Sequence, residues 1–567
     1  MINVETEMLR TATTGPHSTF QHPDGGSPVP APATVRHVLG DHPFAEIGVP
    51  SAVAVSAERG IAVLGGDLGR LAWSGAGTAQ YGWQPYRVGV YGLDDLSCRA
   101  VVESHWPVHS VAVHPTLPLV AVGTGAYDGG YAFEGELLLV DLASGRSRSM
   151  MRTPREILRV GWEDERALRL LVARTDDDEC DEAHEHAYDV VVERPDWSAA
   201  PRGSVQQREL TGPWVACERP VSDQAEVRRT VEELAGDVGW EPRRQVWDVR
   251  GLPDGRVLAC LEEVLAEAWL PDGGLDWRVP DGEGGRQLVV REHDVWVNAD
   301  RRRRRRVGRE WVAEPPLVAR LSLDDGKTLG TLTLDSPVTL TPGRDGWLAL
   351  RPTPLDRRYG PHPRPVALIP PAAQTPRPTV PLGEFDSSNH AFPVRRSSRL
   401  LFLDGAERAS WQDKWVVEVD PDGDAPRRLF PLDWQSPARH VFGGTGVEVG
   451  PPQSRELVHT GSFYGSGRTL SHSGFVVRRS LTDGAVRWEF SVDRPATAVD
   501  GNDETVYVAF NSGELVALDA ADGTVRWRHR LRIGGHPTVA LSLELTDSGR
   551  LLIGTVDGRV LDCSVAS

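Results

Sequence analysis

The chain has 567 residues, 40% hydrophobic and 25% charged, with 62 Lys plus Arg against 80 Asp plus Glu for a formal charge of −18. That charge sets the surface as a whole against nucleic acid and anionic lipid, and no apolar run approaches the ~20 residues of a membrane span. Five widely spaced cysteines (Cys98, Cys180, Cys217, Cys260, Cys563) form no CxxC pair, which argues against a disulfide framework or a zinc knuckle.

Residues 1–33 are rich in Thr, Pro, Gly, Ser and His and lack spaced apolar residues, so they cannot bury enough surface to offset ordering entropy and are expected to be a flexible tail. Stretch 1–14 also lacks a continuous apolar segment and does not read as a secretory signal; the expected compartment is the cytoplasm. Only Lys327 and Lys414 are lysine, a codon bias that points to a GC-rich bacterial genome.

From residue 34 the chain is a succession of short Val, Leu, Ile and Trp runs punctuated by Gly, Asp and Pro, the signature of many short strands. Four-strand units are expected to start near 51, 108, 157, 246, 287, 337, 390, 439, 496 and 539, ten by count. Helical periodicity is confined to one stretch, 223–236. There Asp223 and Glu226 stand at capping-box spacing, Val227, Val231 and Leu234 share a face and Gly236 terminates. This short helix falls within an insertion at 195–245, and a Pro-rich second insertion at 351–382 is expected to form extended loops.

The clearest unit is VYVAFNSGELVALDAADGTVRWRHRL at 506–531, whose runs are divided by Asn511-Ser512-Gly513 and Ala521-Asp522-Gly523, turn residues able to take positive φ. Asp483-Gly484 and Trp488 match Asp522-Gly523 and Trp527 one unit later, and Asp272 with Trp277 repeats the D-G-x-x-x-W pattern. A spacing close to 40 residues is one propeller blade. On these motifs the front resembles the WD-repeat family and the back the quinoprotein-type (PQQ-like) repeat family, both β-propellers. An Asp closes the third strand in Val140-Asp141, Val419-Asp420 and Leu518-Asp519, without the Trp that usually precedes it.

The resemblance implies an all-β propeller of four-stranded antiparallel blades over 34–567. The last unit, 539–565, supplies only three strands, and 34–39 (TVRHVL) is expected to add the fourth and close one ring. Propellers usually have roughly four to eight blades, so a smaller ring of seven or eight blades with insertions, or two fused rings, stay open. Trp277, Trp488 and Trp527 are expected to pack between blades.

Two charged segments are candidate sites. In DDDECDEAHEHAYD at 176–189, the carboxylates of Asp176 and Asp178 with the imidazoles of His184 and His186 offer ligands for a divalent ion, although the run lacks the glycine-turned, alternate-ligand loop of an EF-hand; the plain alternative is a solvated acidic hairpin. The run Arg301, Arg302, Arg303, Arg304, Arg305 and Arg306 offers a surface for an acidic or phosphate-rich partner, or is a solvated loop. His105, His109 and His114 are expected to be structural.

No G-x-S-x-G, Walker A, H-E-x-x-H or strand-borne G-x-G-x-x-G occurs, so no catalytic or cofactor residue is assigned. The quinoprotein dehydrogenases typically carry an adjacent Cys pair over the cofactor, and no two cysteines are neighbours here. The expected function is a non-catalytic propeller scaffold or sensor subunit binding other proteins through its face loops. The alternatives are a metal-assisted hydrolase or lyase site at the central channel, and a PQQ-type quinoprotein.

Overall fold

The computed structural model describes residues 33–565 apart from 72–81, 179, 220–224, 282–283, 300–303, 308–309, 314, 354–364, 372, 383–391, 406–413, 424, 435–439, 452 and 465–473. The expected tail at 1–33 therefore lies, except for Ala33, outside the described residues. The architecture is all-β and propeller-like, built of successive antiparallel sheets. The chain forms two compact units, one holding 42–69 and 84–242, the other 30–41, 70–83 and 243–567.

The first unit has three four-stranded sheets, spanning 49–104, 108–149 and 157–216. Val63, Val88, Val120 and Val140 form the core between the first two sheets, and Leu137, Leu139, Leu168 and Leu170 the core between the second and third. The outer face of the first sheet would be left wet. It is covered by the helix Ala225–Ala235, which lays Val227, Val231 and Ala235 onto Ala62, Leu64 and Tyr91. The helix ends at Gly236, whose φ of 52° is a left-handed value that glycine adopts at little steric cost. The predicted helix and its apolar stripe are in place; the predicted cap Asp223 lies outside the described residues.

Among the described residues the second unit has seven sheets of three or more strands, spanning 246–280, 287–333, 338–380, 400–431, 440–492, 496–530 and 540–565. Their starts fall within ten residues of the predicted ones, because the turn residues that gave the cadence are the turns. Ala33–Leu39 pairs antiparallel with Val560–Val565 as the fourth strand of the last sheet, with Leu39 opposite Val560 and Ala33 opposite Val565. Its neighbour in the sheet is far away in sequence, yet the strand lies where the missing edge required it. The Pro-rich stretch 351–382 departs from expectation. It carries two strands of the 338–380 sheet, Val366–Ile369 and Arg377–Val380, because Pro378 sits on an outer strand, where a missing N–H costs no ladder bond.

Each sheet of this unit shares a buried core with the next. Leu265 and Leu288 join the 246–280 and 287–333 sheets, Val318 and Leu340 join 287–333 to 338–380, and Leu368 and Phe402 join 338–380 to 400–431. Val416 and Leu457 then join 400–431 to 440–492, Val476 and Val508 join 440–492 to 496–530, and Ala517 and Leu543 join 496–530 to 540–565. A last core, with Leu552 and Val560 against Val249 and Ala259, joins the 540–565 sheet to the 246–280 sheet.

The repeat motif has a physical meaning. Trp488 lies over Gly523 of the following sheet, where a Cβ would stand 2.7 Å from the indole, and its Nε1–H donates to the Ala520 carbonyl at 2.9 Å. Trp277 does the same with Gly326 and the Leu323 carbonyl, and Phe430 takes the corresponding place over Gly484. Trp527 is half-buried against the core of the last two sheets. The Asp that closes the third strand caps its turn: Asp141 Oδ1 accepts from the N–H groups of Ala143 and Ser144, Asp519 Oδ1 from Ala521, and Asp420 Oδ1 from Asp422.

Candidate functional site

The first strands of four sheets of the second unit carry an acidic or amide side chain: Asp248 in Val246–Gly251, Gln287 in Gln287–Arg291, Asp500 in Ala496–Gly501 and Glu544 in Ala540–Leu545. Each accepts a backbone N–H from the first strand of the next sheet. Asp500 Oδ2 accepts from Leu545 at 2.8 Å, Glu544 Oε2 from Gly251, Asp248 Oδ2 from Leu288 at 2.9 Å, and Gln287 Oε1 from Leu340 at 2.8 Å. Buried backbone donors must be paired, and here a side chain from the neighbouring sheet does it. Hydroxyls add a second set of bonds, Thr497 to the Ala540 carbonyl and Ser542 to the Val246 carbonyl.

Two of these carboxylates, Asp500 and Glu544, line a cavity of about 960 Å³ together with Arg250, Arg395, Arg396 and Arg550. Arg395, on the short strand Val394–Arg395, bonds Asp248 Oδ1. Arg250 reaches Asp248 Oδ2 at 3.1 Å and stands 3.9 Å from Glu544. Arg396 Nε donates to Asp500 Oδ1 at 3.2 Å and its Nη2 to the Leu545 carbonyl, from a backbone held at φ 56°. Arg550 donates to Asp562 Oδ2 at 3.0 Å.

Burial alone would lower the Arg395 guanidinium, but the charges of Asp248, Asp500 and Glu544 outweigh it and hold the group above the ordinary arginine value. At Glu544 burial wins in the other sense: it pushes the carboxyl up against the pull of Arg250 and Arg395, with Asp500 adding to the rise. The arrangement is a network of alternating charges in which each carboxylate holds a guanidinium, a backbone N–H, or both.

The candidates from the sequence lie elsewhere. In the first unit Asp176 forms an isolated bridge with Ala132 and Asp178 is exposed. His184 Nε2 lies 3.1 Å from Asp177 Oδ2, which also accepts from the Tyr127 hydroxyl at 2.8 Å. The bond to Asp177 pushes the Tyr127 phenol up to about 12, while the bonds from Tyr127 and His184 draw the Asp177 carboxyl down. His186 instead stacks on Trp214, ring centroids 5.5 Å apart. Among the described residues no group of three His, Cys, Asp or Glu is arranged to hold a metal ion.

Of the arginine run, Arg301, Arg302 and Arg303 lie outside the described residues. Arg304, Arg305 and Arg306 form, with Val307, a strand paired to Glu310–Ala313, so a hairpin stands where a loop was expected. His114 is wholly buried and structural: its Nδ1 accepts from Thr116 and Leu117, and its Nε2 reaches the Glu165 carbonyl at 3.0 Å. His109 pairs with Glu156 at 3.1 Å. All five cysteines are free thiols.

Residues 451–566 match the family model described as outer membrane protein assembly factor BamB. The repeats there are of the PQQ-like β-propeller type. The matched span begins just before Glu456–Tyr464 and ends after Val560–Val565, so it takes in the last three strands of the 440–492 sheet, the 496–530 sheet and the three strands of 540–565, and with them Trp488, Trp527 and the carboxylates Asp500 and Glu544. No curated protein matches the chain. Among the described residues no helix is long and apolar enough to cross a membrane.

Proposed function

We propose that the second unit is a closed, seven-bladed β-propeller and that the protein is a non-catalytic scaffold or sensor subunit, binding other proteins through the loops and strand edges of its blades. Closure is supported by the cyclic order of shared cores, in which the 540–565 sheet meets the 246–280 sheet, and by the strand Ala33–Leu39 completing the last blade. The ten-unit cadence then divides into seven blades and three further sheets.

The observation that carries the scaffold reading is the state of the carboxylates at and beside the charged cavity. Asp248, Asp500 and Glu544 are committed to neighbouring guanidinium groups and to backbone N–H groups of the next blade. A catalytic acid or base must be able to reach a substrate proton; groups that staple blades together are spent on the frame. A rigid frame with variable loops suits binding.

Affinity capture of the tagged protein from its native cells, with quantitative mass spectrometry and elemental analysis of one eluate, tests this. Stoichiometric proteins without metal are expected. A stoichiometric divalent ion with no protein would overturn it. A second reading, an enzyme at the channel mouth, has one observation in its favour: a carboxyl raised by burial, Glu544, faces the cavity. It expects turnover that Glu544→Gln abolishes.

A further inference from the structure

The carboxylates beside the cavity are fully engaged, but the guanidiniums they hold are not. Asp248 sets two of them side by side: Oδ1 takes Nη2 of Arg395 and Oδ2 takes Nη2 of Arg250 at 3.1 Å. Arg396, next in the chain, gives Nε to Asp500 and Nη2 to the Leu545 carbonyl. In all three the Nη1 group is left over among the described residues. That of Arg395 is buried with no hydrogen-bond partner. That of Arg250 stands 3.9 Å from Glu544 Oε1, and that of Arg396 stands 3.7 Å from the fully exposed carboxylate of Asp547. Both separations are beyond hydrogen-bond reach. A buried donor without an acceptor costs free energy, so an acceptor supplied from outside would be stabilised here.

All three arginines line the cavity of about 960 Å³, which is also lined by the apolar Leu252, Pro253, Pro271 and Leu545 and the hydroxyls of Thr546 and Ser548. A volume of that order suits a small organic molecule rather than a bare ion, and apolar walls with a few polar groups are the usual make-up of such a pocket. The charge at the arginine end favours an anion. Arg395 is held in its charged form by the acids around it, while burial pushes the Glu544 carboxyl towards neutrality.

The donors also discriminate between anions. A carboxylate offers two oxygens, whereas a phosphate monoester offers three and carries up to two charges near neutral pH. Three spare Nη1 groups on three guanidiniums match the second, and guanidinium is the side chain suited to phosphate geometry.

We propose that this cavity binds a small organic phosphate monoester, its phosphoryl oxygens accepting from Nη1 of Arg250, Arg395 and Arg396 and its organic part lying against Leu252, Pro253, Pro271 and Leu545. The site deepens the sensor form of the proposed function and rests on it. The guanidiniums that would take the ligand are those held by Asp248 and Asp500, and these acids bond the first strands of the 287–333 and 540–565 sheets. Ligand there would act directly on the contacts between sheets.

The test titrates the full chain at pH 8 by calorimetry with inorganic phosphate and phenyl phosphate, and with benzoate as the carboxylate counterpart. Phenyl phosphate is expected to bind at one site, at least about tenfold tighter than benzoate, and to raise the thermal unfolding midpoint. Glu544→Gln removes a negative charge from the lining while its amide oxygen can still accept from Gly251, and should tighten phosphate binding about fivefold. Arg396→Gln should weaken it about tenfold. Should that variant fail to fold, Ser548→Glu, in an exposed turn, adds a negative charge to the lining without touching the contacts between sheets and should also weaken binding. Phenylglyoxal modification of Arg396, whose side chain is 30% exposed, should be slowed by phenyl phosphate in peptide mass spectra.

No saturable binding of either phosphate overturns the site, and so does binding that none of the three substitutions alters. Benzoate that equals phenyl phosphate overturns the ligand class. A phosphoserine peptide that binds more tightly than phenyl phosphate overturns the choice of a small molecule. Each of these leaves the scaffold reading standing if capture yields stoichiometric proteins, whereas capture of metal alone removes that reading, so the two failures are separable.

Discussion

Asp248 shows how one side chain carries the frame: one oxygen holds Arg395 and the other holds the Leu288 N–H of the next sheet and the Arg250 guanidinium. Removing one partner of a buried ion pair leaves the other charge desolvated, so Asp248→Ala should destabilise the unit by about 3 kcal/mol. Asp248→Asn, which can still accept from Leu288, should cost less. Urea unfolding midpoints of the two variants check the order. His459 is the residue with the clearest pH consequence. It is wholly buried among Phe392, Trp434 and Phe475, and burial, aided by the Arg479 charge, pulls its imidazole down to about 3. In the unfolded chain it titrates near ~6.5. The stabilisation from keeping it neutral is therefore complete above that value and is lost as pH falls from there towards 3, at up to about 1.4 kcal/mol per pH unit. His459→Phe should remove this component, so that its urea midpoint falls less between pH 7 and pH 5 than that of the unaltered protein.

At the scale of the element the unit is the Trp that lies over the glycine of the next blade. Gly523 is held at φ 75° with Trp488 where a side chain would be. Gly523→Ala pays for both and should cost about 2 kcal/mol; in a Trp488→Ala background its cost should drop to the backbone part, about 1 kcal/mol. A double-mutant cycle in urea measures the difference. The repeat was legible in the sequence as D-G-x-x-x-W because turn chemistry is local, whereas the seat of each ring on the glycine of the next sheet was not. The ten sheet starts, the helix face Val227, Val231 and Leu234, and the strand at 34–39 were legible for the same reason: turn residues, periodicity and a missing strand leave marks in the order of residues. The carboxylate staples were not. Asp500 and Glu544 are single acids in ATAVDG and ALSLEL, and only the stacking of one blade on another shows that each reaches the next strand's N–H. An acid near the end of an apolar inner strand, repeated in successive units, is the signal that could have found them. The partner of His184 was missed likewise: Asp177 was passed over for Asp176 and Asp178, and the hydroxyl that joins it comes from Tyr127, fifty residues upstream.

For the whole molecule the decisive junction is made by residues at opposite ends of the chain. Leu39 lies in the core between the 540–565 and 246–280 sheets, and its strand covers the edge of Val560–Val565. If that pairing closes a ring, its removal acts on two junctions at once, opening an edge and thinning the core beside it. Deleting 1–39 should lower the unfolding midpoint and cause concentration-dependent self-association, since a bared strand edge templates another chain. Deleting 1–32 should do neither, because the strand starts at Ala33. A peptide of sequence ATVRHVL added to the shorter protein should restore part of the lost stability in proportion to its occupancy, which separates loss of the strand from a general effect of truncation. Thermal melts and sedimentation of the two deletions read the outcome. A 1–39 deletion that stays monomeric and melts with the full chain would mean that the last blade is complete with three strands, and that Val249 and Ala259 against Leu552 and Val560 suffice to join it to the 246–280 sheet.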